Sequence, residues 1–221
     1  MIIALSPGPC AQATGSSLAP KRSRVGSYRS VISSLKTFLL ASGTERSSQL
    51  AKARSEIRVQ FIHGLEGSPQ GSKARLFAQH FETITPEMDT SSFDGSVDTQ
   101  AAALSEFHPD ILVGSSFGGA VAVELLARRL WQGPTMLLAQ AAIHYDPAAS
   151  LPPGIPVWLV HGTGDTVIDP DQSRRLAATA NSDEVRLIEV DDDHPLHASV
   201  ASGAIIAWVK ELVATTRVES R

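Results

Sequence analysis

The chain has 221 residues, 43% hydrophobic and 19% charged, enough to bury one sizeable core. A formal net charge of -4 excludes a generally basic polyanion binder, and no apolar run approaches the ~20 residues that span a bilayer. The single cysteine, Cys10, excludes a disulfide framework and leaves the rest of the chain without a thiol nucleophile.

Charge is unevenly placed. Residues 1–56 hold eight Lys/Arg against two Asp/Glu, a net +6, whereas residues 57–221 carry a net -10. The prefix 1–56 is therefore treated apart from a domain at 57–221. It is basic and Ser-rich and, apart from one helix predicted at about 29–41, is expected to be disordered. Such a composition resembles an organellar transit peptide, and an over-extended start is the alternative. The expected compartment is the cytoplasm, or an organelle if the prefix is a transit segment. Met1-Ile2-Ile3-Ala4-Leu5 lacks the basic front and apolar length of a secretory signal. Without interleaved aromatics the prefix is not expected to bind nucleic acid.

The first strand is predicted at 57–62, where apolar and polar residues alternate. It runs into His63-Gly64-Leu65-Glu66-Gly67-Ser68-Pro69, a small-residue loop before a helix at about 71–81. A loop in this place can lend a backbone N–H to an oxyanion, and Leu65 is the candidate. His63 is expected to fix the loop through a hydrogen bond. A strand at about 82–85 and a helix at about 97–107 follow, separated by a short polar segment at 87–96.

Residues 110–114 are predicted as a buried strand that ends in Gly114-Ser115-Ser116-Phe117-Gly118, a match to G-x-S-x-G. A helix follows at about 118–131. The pattern needs glycines because a serine on a sharp strand-to-helix turn is strained and its neighbours must pass closely. The helix N-terminus beneath it offers free N–H groups and the positive dipole end. Ser116 is thus the candidate nucleophile, and the N–H of Phe117 the second oxyanion donor.

Further strands are predicted at 134–139 and 156–161. The latter enters His161-Gly162-Thr163-Gly164-Asp165, which puts Asp165 one short loop past a strand end, where an orienting carboxylate belongs. Asp169 competes, but Asp169-Pro170 also suits the cap of a helix at about 171–180. A half-buried strand at 184–190 then leads into Asp191-Asp192-Asp193-His194-Pro195-Leu196-His197 and a helix at about 199–213. His194, first after the strand, is the candidate base; His197 is the competitor, with a surface or capping role as its other reading. The three aspartates suit a solvated turn better than an oxygen-rich metal loop, which spreads its ligands over more positions. Trp131 and Trp208 are expected near helix ends, in core packing.

Strands alternating with helices predict an α/β fold, a mostly parallel sheet covered by helices on both faces, with loops at the strand carboxyl ends carrying the chemistry. A serine, then a carboxylate, then a histidine on successive loops suits acyl transfer through a covalent intermediate. Three stretches carry a family resemblance: Phe-Ile-His-Gly-Leu-Glu-Gly-Ser-Pro-Gln-Gly-Ser-Lys-Ala (61–74), Val-Gly-Ser-Ser-Phe-Gly-Gly (113–119) and Gly-Thr-Gly-Asp (162–165). They resemble the compact α/β-hydrolases of the YqiA-like esterase family, over about 57–213. The resemblance implies a serine hydrolase acting on carboxylic esters or thioesters, with Ser116, Asp165 and His194 as triad. The segment 139–156 is shorter than the insert such relatives carry, so substrate range is not transferred.

The expected activity is that of a serine esterase acting on small soluble esters, with Leu65 and Phe117 as oxyanion donors. A thioesterase or amidase on the same triad, or a catalytically idle binding module, are the alternatives. No cofactor and no metal are implied, and the pattern carries no information on oligomeric state. About sixteen residues, rich in Ala, Pro and Gly, join the strands at 134–139 and 156–161, too few for a helical lid. The segment 87–96 is expected to form at most one wall of an open site.

Overall fold

The computed structural model describes residues 55–181 and 183–219; the prefix up to residue 54, with the helix expected at 29–41, lies outside the described residues. The elements in chain order are β1 (Ser55–Ile62), α1 (Ser72–His80), β2 (Phe81–Ile84), α2 (Phe93–Phe107), β3 (Ile111–Ser115) and α3 (Phe117–Ala127). They continue with β4 (Thr135–Leu138), α4 (Ala142–Tyr145), β5 (Val157–Gly162), α5 (Asp171–Ala177), β6 (Val185–Val190), α6 (His197–Ser202) and α7 (Ala204–Glu219). The six strands form one parallel sheet in the order β2-β1-β3-β4-β5-β6.

Side-chain alternation along the strands divides the core. Leu112, Leu137, Val157 and Leu159 point to the face covered by α2, α3, α4 and α5. Val113, Met136, Trp158 and Val160 point to the other, against Ala74 and Phe77 of α1 and Ile205, Val209 and Leu212 of α7. Strands covered on both faces read as continuous apolar runs, which is why β3, β4 and β5 are buried throughout. The edge strand β6 keeps Arg186 and Glu189 exposed. No described helix is long and apolar enough to cross a membrane.

Register sets where the loops emerge. Ile62 pairs with Gly114, Ser115 with Leu138, Leu138 with Val160, and Gly162 with Val190. The carboxyl ends of five strands therefore share one edge. The chain reverses its winding between β1 and β3, so the segments after these two strands diverge and leave a crevice between them.

The observed elements differ from the predicted ones in instructive ways. β1 begins at Ser55, two residues before the expected 57, and its alternation does not mark a solvated face: Gln60 is fully buried and donates to the side chain of Gln100 at 2.8 Å. α2 begins at Phe93, four residues early, because Ser92 caps it through Gly95 N–H. Hence 87–96 is not simply a polar segment: Met88 is buried, and the Phe93 ring stacks on Tyr145 at 5.2 Å and meets Phe117 edge-on at 5.9 Å. α3 stops at Ala127, and Trp131 lies beyond it with its indole N–H bonded to Thr135 Oγ1. The helix expected at 199–213 is broken at Gly203, where φ is +75°, and Trp208 falls within α7 rather than at an end. The short α4 was not anticipated from the sequence.

Phe77 is fully buried, with its ring 5.0 Å from Phe61 and 6.4 Å from Phe81. Phe77→Ala is expected to cost about 3–5 kcal/mol of stability, read as a lower urea midpoint. A loss under ~1 kcal/mol would show that α1 is not packed tightly against the sheet.

Candidate active site

Ser116 sits at the end of β3 and caps α3 with φ +55° and ψ -117°, a conformation costly for any residue with a Cβ. Its surroundings hold it there. Its N–H donates to Leu138 O at 2.9 Å, and its carbonyl accepts from Gly119, Ala120 and Ala141. A Cβ on Gly114 would run into the carbonyl oxygen of Gly118, and one on Gly118 into that of Ile62. The glycines two residues either side of Ser116 are thus required by close backbone approach.

Asp165 follows β5 and is buried, its side chain fully so. Its Oδ1 accepts from the N–H groups of Val167 (2.8 Å) and Ile168 (2.9 Å), which offsets the desolvation of the carboxylate. Its Oδ2 lies 2.7 Å from His194 Nδ1, and His194 Nε2 lies 3.0 Å from Ser116 Oγ. The structure therefore brings Ser116, Asp165 and His194 together in hydrogen-bond sequence. The competitors go elsewhere. Asp169 accepts from Asp171 N–H at the start of α5, and exposed His197 pairs with Asp193 at 2.6 Å.

Two devices hold the His194 loop. Leu196 is a fully buried plug in a left-handed conformation, φ +58°. Asp192 and Asp193 cap α6: Asp192 accepts from Ala198 and Ser199 N–H, and Asp193 from His197 N–H. These carboxylates do more than line a solvated turn. The same loop is stitched to the Asp165 loop by Gly164 N–H to Asp192 O at 3.0 Å, and a Cβ on Gly162 would collide with that oxygen. Burial pushes the Asp192 carboxyl up, but the donors at Ser199, Asp193 and Ala198 outweigh it and bring it down to about 2.

The loop after β1 packs beside Ser116. A Cβ built on Gly64 would lie 3.1 Å from Ser116 Cβ and 3.7 Å from its Oγ. Leu65 N–H makes no hydrogen bond among the described residues, and Phe117, first in α3, has no carbonyl a turn before it within the helix. His63 is buried and bridges Nδ1 to Gly64 O at 2.8 Å, which fixes the loop as its position suggested. A cavity of about 190 Å³ lies under this loop, lined by Gly64, Ser68, Lys73 and Ser115 among others. Burial pushes the Lys73 ammonium down, against the pull of Asp193 and Asp192. A larger groove of about 340 Å³ runs between Phe93, Val123 and Ala149 but shares no residue with Ser116, Asp165 or His194.

One further residue at the site was missed in the sequence. His161, fully buried in β5, places Nε2 3.1 Å from Asp165 Oδ2. Its signal was present: a histidine within an otherwise apolar buried strand, four residues before the carboxylate. Among the described residues, the exposed apolar side chains Leu65, Tyr145 and Val167 lie in the segments that follow β1, β4 and β5.

No family model matches this sequence, and no curated protein matches it. Solved structures do. Mouse α/β-hydrolase domain-containing protein 10 is 18% identical, with a TM-score of 0.59 over 72% of this chain and 90% of that one. Est1E from Butyrivibrio proteoclasticus is 14% identical, with a TM-score of 0.59 over 73% and 90%. A serine hydrolase without a lid from Xanthomonas campestris is 19% identical, with a TM-score of 0.54 over 72% and 84%. The likeness establishes that this chain has the α/β-hydrolase fold.

Asp192→Ala removes the cap and is expected to lower the melting temperature at neutral pH. The folded carboxyl titrates at about 2, below its ordinary 3.8, so its contribution is full above about pH 4 and is lost as pH falls through about 2. Melts at pH 7, 4 and 2 should show the two proteins converging towards acid. A constant difference across that range would mean that the carboxylate charge is not what holds the loop.

Proposed function

We propose that this protein is a serine esterase that cleaves small soluble carboxylic esters through an acyl-enzyme. The observation that carries the reading is the pair of contacts made by His194: 3.0 Å to a serine hydroxyl and 2.7 Å to a buried carboxylate, on opposite ring nitrogens. That geometry suits proton transfer from Ser116 to His194 Nε2 as Ser116 Oγ attacks an ester carbonyl. Asp165 holds the Nδ1–H tautomer and stabilises the imidazolium as it forms. The N–H groups of Phe117 and Leu65 receive the oxyanion, assisted by the positive end of α3. His194 then protonates the leaving alcohol, and water attacks the acyl-enzyme by the same route in reverse roles.

Several observations support an ester of modest size. The fold neighbours include proteins described as an esterase domain, as lipolytic enzymes and as a serine hydrolase without a lid. Only the four-residue α4 lies between β4 and β5, so no helical cover spans the site from that segment. Exposed Leu65, Tyr145 and Val167, each in a segment that follows a strand carboxyl end, offer apolar surface for an acyl or alkyl group. An idle binding module would have no use for the aligned hydrogen bonds at His194.

Ser116→Ala should leave the fold intact and lower turnover on nitrophenyl esters by on the order of 10⁴ or more. A fluorophosphonate probe should label Ser116 and nothing else. His194→Gln should abolish turnover, while His197→Gln keeps most of it. Labelling at Ser115, or the reverse pattern at the two histidines, would overturn the assignment.

Acetyl and butyryl esters should be cleaved better than lauryl esters, and better than matched thioesters or amides. Their rates should show no jump as substrate passes its solubility limit. A sharp rise above that limit, or a preference for the longest chain, would contradict an open site.

A further inference from the structure

We propose that His161 is a positioning residue for Asp165, and that a buried hydrogen-bond chain running back through Ser173 to Gln140 fixes its tautomer. The proposal rests on the reading of Ser116, His194 and Asp165 given above and adds a second layer of residues to that site.

The tautomer of the neutral His161 ring follows from its neighbours: Nε2 faces two acceptor oxygens and so carries the hydrogen, which leaves Nδ1 to accept. Ala142 N–H can only donate, so the atom it meets at 2.6 Å is the Gln140 oxygen, Oε1. The Gln140 amide nitrogen is thereby aimed at Ser173 Oγ, 3.1 Å away. With a donor already supplied to its oxygen, the Ser173 hydroxyl has its proton free for His161 Nδ1 at 2.7 Å. An imidazole that accepts at Nδ1 carries its hydrogen on Nε2. That Nε2–H faces Ile168 O at 3.0 Å and Asp165 Oδ2 at 3.1 Å, and is shared between them. Gln140, Ser173 and His161 are all fully buried, so no water competes for these positions.

A core histidine needs partners wherever it lies, and Ile168 O and Ser173 would satisfy both nitrogens. The contact with Asp165 goes beyond that need. Asp165 Oδ1 is fixed by two backbone N–H groups, which anchors one oxygen and leaves the carboxylate free to rock about it. Without His161, only His194 would hold Oδ2, and His194 is the group whose bonds change during turnover. His161 supplies a donor that does not change. It sets the carboxylate plane in advance, so that Oδ2 keeps facing His194 Nδ1. The wrong tautomer of His161 would turn a lone pair towards Asp165, which explains why the Ser173–Gln140 relay is built behind it.

The test compares three variants in the full chain. His161→Leu removes the donor, His161→Gln returns an N–H at the Nε2 position, and Ser173→Ala frees the tautomer while leaving His161 in place. The readouts are the rate of fluorophosphonate labelling at Ser116, kcat and KM on nitrophenyl acetate, and the downfield His194 Nδ1–H resonance. His161→Leu should lower kcat and the labelling rate about 10- to 100-fold, as loss of a hydrogen bond to a charged group does, with KM within about twofold. His161→Gln should recover to within about fivefold of the parent protein, and Ser173→Ala should fall about 3- to 10-fold and shift the resonance. If His161→Leu does not fold, the other two variants decide. A Ser173→Ala protein with parent labelling rate and an unmoved resonance overturns the proposal, as does a folded His161→Gln protein no better than His161→Leu. A parent protein that the probe does not label at Ser116 overturns the esterase reading instead.

Discussion

A Cβ on Gly118 would occupy the space of the Ile62 carbonyl, and one on Gly114 the space of the Gly118 carbonyl. The end of β1, the end of β3 and the first turn of α3 can therefore interlock only where side chains are absent. That contact fixes the turn on which Ser116 stands. It also holds Ser116 at φ +55°, a strain of about 1–3 kcal/mol that the surrounding packing must absorb. Because the β1 loop is drawn against the same turn, Gly64 is brought alongside the serine.

The second constraint is the burial of Asp165. A carboxylate with no exposed side-chain surface needs donors on both oxygens, and here it has two backbone N–H groups on one and two imidazoles on the other. Satisfying that charge organises three segments at once: the turn up to Ile168, the interior of β5 and the His194 loop. The His194 loop is held in turn by Leu196 in the core and by Asp192 and Asp193 at the start of α6. Stability and the proposed chemistry share these bonds, so a change in any of them acts on both.

The aromatic group Phe93, Phe117 and Tyr145 shows how the helices on one face close around the site. Phe117 follows the serine directly, is buried, and meets Tyr145 at 5.3 Å and Phe93 at 5.9 Å, which ties the start of α3 to α2 and α4. Phe93 and Tyr145 of this group also line the 340 Å³ groove, which does not include Ser116.

The sequence by itself determined the alternation of strands and helices, the glycine-framed serine, and a carboxylate and a histidine on later loops. These follow from local rules: apolar periodicity, the backbone demands of a tight turn, and the propensities of residues at strand ends. It favoured Asp165 over Asp169 and His194 over His197 on chain position alone. It also missed the early start of α2 at Phe93 behind its Ser92 cap, the burial of Gln60 against Gln100, and His161. Each of these depends on which polar atoms meet. Ser116 and His194 are 78 positions apart, and Asp165 and His194 are 29 apart. Only the register of the parallel sheet, which brings the carboxyl ends of β1, β3, β4, β5 and β6 to one edge, decides that they touch. Local patterning encodes conformation and burial, but the partner of a buried polar atom is settled by the tertiary packing around it.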